Sequence, residues 1–247
     1  SHYANGIMYQ LEQSGYKPVI MHFRGCSGRV NRLARAYHSG DTADIATIVN
    51  YIKDKTGYYP YAAVGYSIGG NVLLKWLGET GSLNPLTKAV AVSVPFQLHD
   101  AARRLEKGLS KVYRDYLLAS LRKKYIEKFK QLSSPLDVDV KQLKSFWDYD
   151  DKVTAPLHGF DGAQDYYDRC SSGQFLKEIQ IPTRIIHSFD DPFMFDTTIP
   201  DEEELNDWID LLATRYGGHV GFISGRNPFA TYSWCELKIT EFLTNND

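Results

Sequence analysis

Hydrophobic positions in the first hundred residues alternate between short β-type runs and one-sided helical stretches. Pro18-Val19-Ile20-Met21-His22-Phe23 is a short apolar run rich in β-formers, closed by Arg24-Gly25-Cys26-Ser27-Gly28, and predicts a strand followed by a turn. Between Asp41 and Ile52, residues Ile45, Ile48, Val49 and Ile52 take the i, i+3, i+4, i+7 spacing of a helix with one apolar face. Tyr61-Ala62-Ala63-Val64-Gly65-Tyr66 predicts the next strand, and Asn71 to Leu77 a helix that breaks at Gly78 and Gly81. Lys88-Ala89-Val90-Ala91-Val92-Ser93-Val94 is nearly all apolar, as a strand buried on both faces would be. This alternation predicts an α/β fold, a mostly parallel sheet flanked by helices.

The pattern changes after Pro95-Phe96. Asp100 to Leu132 reads as helical and heavily charged, and Pro135 to Cys170 as irregular, aromatic and acidic. Residues 96–175 are therefore expected to form an inserted helical cap within a single domain, 1–247. The sheet pattern resumes at Thr183-Arg184-Ile185-Ile186-His187-Ser188. Leu211 to Tyr216 is expected as the last strand, leading to Gly217-Gly218-His219, and Trp234 to Leu243 as a closing helix.

Composition adds limits. With 43% hydrophobic and 23% charged residues in 247, the chain has the make-up of a globular protein able to bury a core without staples. A formal net charge of -2 implies no broad attraction to nucleic acid or anionic lipid. The basic run of Arg103, Arg104, Lys107, Lys111, Arg122, Lys123, Lys124, Lys128 and Lys130 is read as a solvated helical face, because acidic residues elsewhere restore neutrality. Cys26, Cys170 and Cys235 are odd in number and match no metal-ligand spacing, as reduced thiols of a cytoplasmic protein would. No apolar run approaches bilayer-spanning length, and Ser1 to Gly6 has no signal-peptide features. The expectation is a cytoplasmic protein without nucleic-acid partner, stable membrane insertion, metal or organic cofactor.

Candidate chemistry centres on Gly65-Tyr66-Ser67-Ile68-Gly69, a G-x-S-x-G sequence between an apolar strand and an apolar helix. That context is what a nucleophile elbow needs: a strained turn exposes the serine hydroxyl, and glycines two residues either side remove side chains that would collide. Serine is a weak nucleophile unless a base takes its proton. His219, freed by Gly217 and Gly218 to present its ring, is the candidate base. Asp191, backed by Pro192, is preferred over Asp190 as the acid that orients it, with Asp190 capping the turn as the alternative. The backbone N–H of Ile68 is the expected first oxyanion donor. The second donor is left open; Asn71, Arg24 and Cys26 are candidates to line the pocket, each with a competing role in helix, turn or packing.

The chain resembles the YheT-like branch of the α/β-hydrolases, the AB-hydrolase family 4 of carboxylesterases. The matching segments include His22-Phe23-Arg24-Gly25-Cys26-Ser27-Gly28, Tyr37-His38-Ser39-Gly40-Asp41, Gly65-Tyr66-Ser67-Ile68-Gly69-Gly70-Asn71, Asp190-Asp191-Pro192-Phe193 and Gly217-Gly218-His219-Val220-Gly221-Phe222. The resemblance implies a triad of Ser67, Asp191 and His219 and hydrolysis of carboxylic esters, with lipid-like esters among the substrates of eukaryotic relatives. It also implies an HGL-x-G-like segment and further strands ahead of the position of Ser1, which this chain does not contain. The expected function is ester hydrolysis through an acyl-enzyme on Ser67. An acyltransferase using the same residues, or a non-catalytic binding protein keeping the fold, are the alternatives.

Overall fold

The computed structural model describes residues 2–225, 227 and 230–245. Strands β1 (Ala62–Tyr66), β2 (Lys88–Val92), β3 (Thr183–Ser188) and β4 (Ile209–Thr214) pair in that order, all parallel. Helices α1 (His2–Gln13), α2 (Thr42–Thr56) and α3 (Ile68–Thr80) belong to the first half of the chain. Between β2 and β3 lie α4 (Leu98–Leu105), α5 (Ser110–Phe129), α6 (Phe146–Tyr149), α7 (Ala155–His158) and α8 (Ala163–Cys170), with a π-helical turn at Asp150–Thr154. After β4 come a two-stranded antiparallel ribbon, β5 (Ile223–Gly225) and β6 (Thr231–Ser233), and helix α9 (Trp234–Thr244).

Successive strand residues point to opposite faces, and here each face has its own core. Ala89, Ala91 and Ile185 pack with Leu73, Leu74 and Leu77 of α3. Val90, Val92 and Ile186 pack on the other side with Ile7 of α1 and Ile239 and Leu243 of α9. Burial on both faces is why β2 reads as a nearly continuous apolar run.

Three expectations are corrected. The apolar run 18–23 forms no strand: β1 is an edge, no described strand lies on its far side, and without a ladder partner β-propensity alone makes no sheet. Val19 and Ile20 are accordingly 67% and 42% exposed. Helix α3 does not stop at Gly78. That glycine is where the backbone of Phe175 crosses the helix; a Cβ there would lie 2.4 Å from the Phe175 carbonyl oxygen. The region 135–170 is not irregular but a chain of helical pieces, α6 and α7 of four residues and α8 of eight. One or two turns are too short for a 3.6-residue period to show.

The helical segment has two cores of its own, one around Leu118, Val140, Leu143, Tyr149 and Val153, the other around Leu98, Ala155, Ala163, Tyr166 and Tyr167. It is fastened to the loop before α2 by Lys128 of α5. The Lys128 ammonium donates to the carbonyls of Leu33, Ala34 and Arg35 at 3.3, 3.2 and 2.6 Å.

Candidate active site

Every polar group of the site stands just beyond the carboxyl end of a parallel strand, where this sheet architecture leaves a crevice. Ser67 follows β1, Ser93 follows β2, Asp190 and Asp191 follow β3, and His219 lies beyond β4. Ser67 has φ 50° and ψ −121°, a strained conformation for a residue with a side chain. The tight contact of the turn is between Gly65 and the pair Gly69-Gly70. A Cβ on Gly65 would lie 2.5 Å from the Gly69 carbonyl oxygen, and one on Gly70 2.7 Å from Val94 Cγ2. Gly69 has room, its nearest neighbour to a new Cβ being Phe23 at 4.0 Å. The expectation that both motif glycines avoid collisions therefore holds for Gly65 alone.

His219 Nε2 lies 3.0 Å from Ser67 Oγ, and Nδ1 lies 2.8 Å from Asp191 Oδ2. A carboxylate only accepts, so Nδ1 carries the hydrogen and Nε2 is left to accept from the serine hydroxyl. Asp191 is buried, and its other oxygen accepts from the backbone N–H of Phe193 at 2.8 Å. The neighbouring Asp190 does different work: its Oδ1 accepts from the N–H groups of Gly217 and Gly218 at 2.9 and 2.8 Å, pinning the histidine loop. The two adjacent carboxylates thus face different partners, Asp191 the imidazole and Asp190 the backbone of the histidine loop.

Further residues hold the loop. Ser188 Oγ donates to the Gly218 carbonyl at 2.8 Å, and Ser93 Oγ accepts from the Val220 N–H at 3.1 Å. Ser67, Ser93, Val220 and Phe222 are the non-glycine residues of positive φ among the described residues, and all cluster here. Phe193 lies flat on the His219 ring, centroids 4.1 Å apart and planes 8° from parallel, and Tyr113 of α5 packs behind it at 5.1 Å. Sequence reasoning missed Ser93 and the Phe193 stack. Phe193 had a signal, since it sits in the same short turn as the acid.

As the first residue of α3, Ile68 has a backbone N–H with no acceptor inside the helix, next to Ser67. Asn71 does not line the pocket. It is fully buried, donates to the carbonyls of Ser39 and Cys170 at 2.7 and 2.8 Å, and accepts from the Ser172 N–H at 2.9 Å. A short polar side chain on the inner face of a helix is taken up by the loops crossing it. Arg24 and Cys26 do line the cavity, Arg24 paired with Asp44 and the Cys26 sulfur 3.1 Å from the Lys124 ammonium.

The cavity has a volume of about 770 Å³, with Ser67 and His219 in its wall together with Leu98, Met194, Tyr149 and Asp150. Burial pushes the Asp150 carboxyl up to about 6, against hydrogen bonds from Thr154 and Tyr167 that favour its ionised form. Near Asp191 and His219, burial lowers His187 to about 4, and neither ring nitrogen has a hydrogen-bond partner among the described residues.

The sheet, the elbow and the strand-end cluster are those of a hydrolase, and the sequence relationships agree: the chain belongs to the α/β-hydrolase fold family, whose sequence model matches residues 1–225. It is 42% identical over 247 residues to the Escherichia coli (strain K12) protein named "Putative esterase YheT", covering 99% of this chain and 72% of that one. It is 31% identical over 225 residues to human "Phospholipase ABHD3", covering 90% of this chain but 55% of the relative. Among solved structures, the Pyrococcus furiosus esterase Pf2001 superposes with a TM-score of 0.56 at 17% identity, covering 98% of this chain and 76% of that one. A Paleococcus ferrophilus monoacylglycerol lipase gives 0.56 at 13% identity, with 98% and 89% covered. These two likenesses concern the fold.

Proposed function

We propose that this protein hydrolyses carboxylic esters by a two-step acyl transfer through Ser67. The observation that carries the reading is the hydrogen-bonded series Ser67–His219–Asp191 in the wall of a large cavity. Ser67 Oγ attacks the ester carbonyl as His219 Nε2 takes its proton, and His219 then protonates the departing alcohol. Asp191 fixes the imidazole tautomer and stabilises the imidazolium that forms. Negative charge on the carbonyl oxygen develops beside the Ile68 N–H, at the positive end of α3. Water, deprotonated by His219, releases the acid and restores the serine.

The helical segment 96–175 acts as a cap over the site, and its apolar wall residues suit an apolar acyl or alcohol group. A volume of about 770 Å³ can enclose a small-molecule ester. The names of the relatives, esterase and phospholipase, support an ester substrate with lipid-like character. The three unpaired cysteines support a cytoplasmic setting. No described helix is long and apolar enough to cross a membrane.

The test is labelling with a fluorophosphonate probe alongside turnover of p-nitrophenyl esters. Labelling confined to Ser67, with Ser67→Ala lowering kcat by about a thousandfold or more, is the expected result. An unlabelled, folded protein, or a Ser67→Ala variant that keeps its activity, would overturn the reading. Transfer of the acyl group to an added alcohol in preference to water would make the enzyme an acyltransferase with the same residues.

A further inference from the structure

Helix α5 carries an apolar stripe that the described residues leave largely uncovered. Leu109, just before its first turn, is 85% exposed, and Val112, Tyr113 and Tyr116 are 67%, 49% and 76% exposed. Their spacing (i, i+3, i+4, i+7) puts them on one face. Leu118 on the opposite face is fully buried in the core of the helical segment, so the stripe points outward. The same face continues through Lys123, one further heptad step from Tyr116, and the next turn of the helix supplies cavity wall at Leu117, Ser120 and Lys124. At its other side Tyr113 touches Phe193, the ring stacked on His219. The stripe is thus continuous with the cavity that holds Ser67.

We propose that this face of α5 is a docking surface for an anionic lipid membrane, on which the protein lies with its cavity turned toward the bilayer. Exposed leucine, valine and tyrosine side chains suit insertion at the headgroup boundary, and flanking cations suit its negative charge. Residues 103–130 hold ten Lys and Arg against three Asp and Glu, although the whole chain is slightly acidic. All three acids are paired, Glu106 and Asp115 with Arg114 and Glu127 with Lys123, and Lys128 is buried against the loop before α2, which leaves seven cations of the stretch with no acidic partner inside it. That excess decides the occupant. A second copy on the same face would set two cationic surfaces against each other, whereas anionic lipid neutralises both ends of the stripe. The helix lies on the membrane and does not enter it as a span.

The test is co-sedimentation with vesicles of phosphatidylcholine alone or mixed with phosphatidylglycerol, for the protein and two variants. L109S/V112S/Y116S removes apolar contacts and leaves Tyr113 in place; K107E/K123E reverses charge at the two ends. The parent is expected to bind the mixed vesicles, and less so as salt rises from about 0.1 M to about 0.5 M. The apolar variant loses about tenfold or more in partitioning, and the charge variant loses binding to the mixed vesicles selectively. Turnover of a water-soluble short-chain ester stays unchanged in both, which shows that they fold. Ser67→Ala binds vesicles like the parent, so vesicle binding stands or falls apart from the catalytic reading. Failure of the parent to bind mixed vesicles, or equal binding by the variants, would overturn the proposal. So would light scattering showing a dimer that the apolar variant dissolves, which would make a second copy the occupant.

Discussion

Gly65 and Gly69 flank the same serine, yet the space around them differs. A methyl group on Gly65 would lie 2.5 Å from the Gly69 carbonyl oxygen, backbone that cannot yield without unwinding the start of α3. Gly65→Ala is expected to lower stability by about 3 kcal/mol and to abolish probe labelling at Ser67. Gly69→Ala meets nothing nearer than Phe23 at 4.0 Å and replaces glycine inside a helix, so its thermal midpoint is expected to stay level or rise slightly. Thermal melts of the two variants check the contrast; an equally damaged Gly69→Ala would mean that the turn is tighter than the geometry allows. At this scale the sequence was informative where chemistry is local. Ser67 sits in a five-residue motif, and His219 and Asp191 at marked turns. Asn71 was not legible, because whether an amide on a helix faces a cavity or a crossing loop depends on Ser39 and Cys170, distant in sequence.

Among the elements, α5 is joined to the loop before α2 through one buried ammonium. Replacing Lys128 with Met keeps most of the volume but takes the side-chain donor from the Ala34 carbonyl and one of two from the Leu33 and Arg35 carbonyls, which also accept from Asn31 Nδ2. A loss of about 2 kcal/mol in urea denaturation is expected, together with faster amide exchange through residues 33–36. A variant as stable as the parent would mean that water replaces the lysine without penalty. The elements also show where reading a single chain stops. β2 announces itself because both faces are covered, whereas 18–23 is also rich in apolar residues but has no described strand beside it. Strand identity is a property of pairs. The exposed stripe of α5 was hidden for a related reason: its cations and apolar residues interleave, and only the packed core around Leu118 shows which face is outside.

For the whole molecule, buried titratable groups set the response to acid. Burial holds His38 down to about 3 and His187 to about 4, while in the unfolded chain both take up a proton near 6.5. Between about pH 6.5 and about pH 4 the unfolded chain therefore binds protons that the native state refuses, and stability falls as pH falls. Asp150 works the other way. Raised to about 6 from 3.8, it binds its proton in the native state below about pH 6, before the unfolded chain does, and contributes stability as pH falls toward 3.8. Two histidines outweigh one carboxyl, so these groups give a net loss of about 1.4 kcal/mol per pH unit near pH 5, the slope for one proton. Urea midpoints at about pH 7, 6 and 5 measure it, and His187→Phe, which removes one of the two protons, is expected to bring the slope close to zero. A parent curve that stays flat through this range would show that water reaches the histidines.

The flat stack on the His219 imidazole has a magnetic consequence as well. Circulating π-electrons in Phe193, parallel to the His219 ring at 4.1 Å, shield whatever lies over the face of the phenyl ring. The carbon-bound protons of that histidine are therefore shifted upfield. Because Tyr113 backs the phenyl group from α5, lifting the start of that helix would slide the shield away. The resonance of a single histidine then reports, in a proton spectrum and without any substrate, whether the helical layer above it is seated.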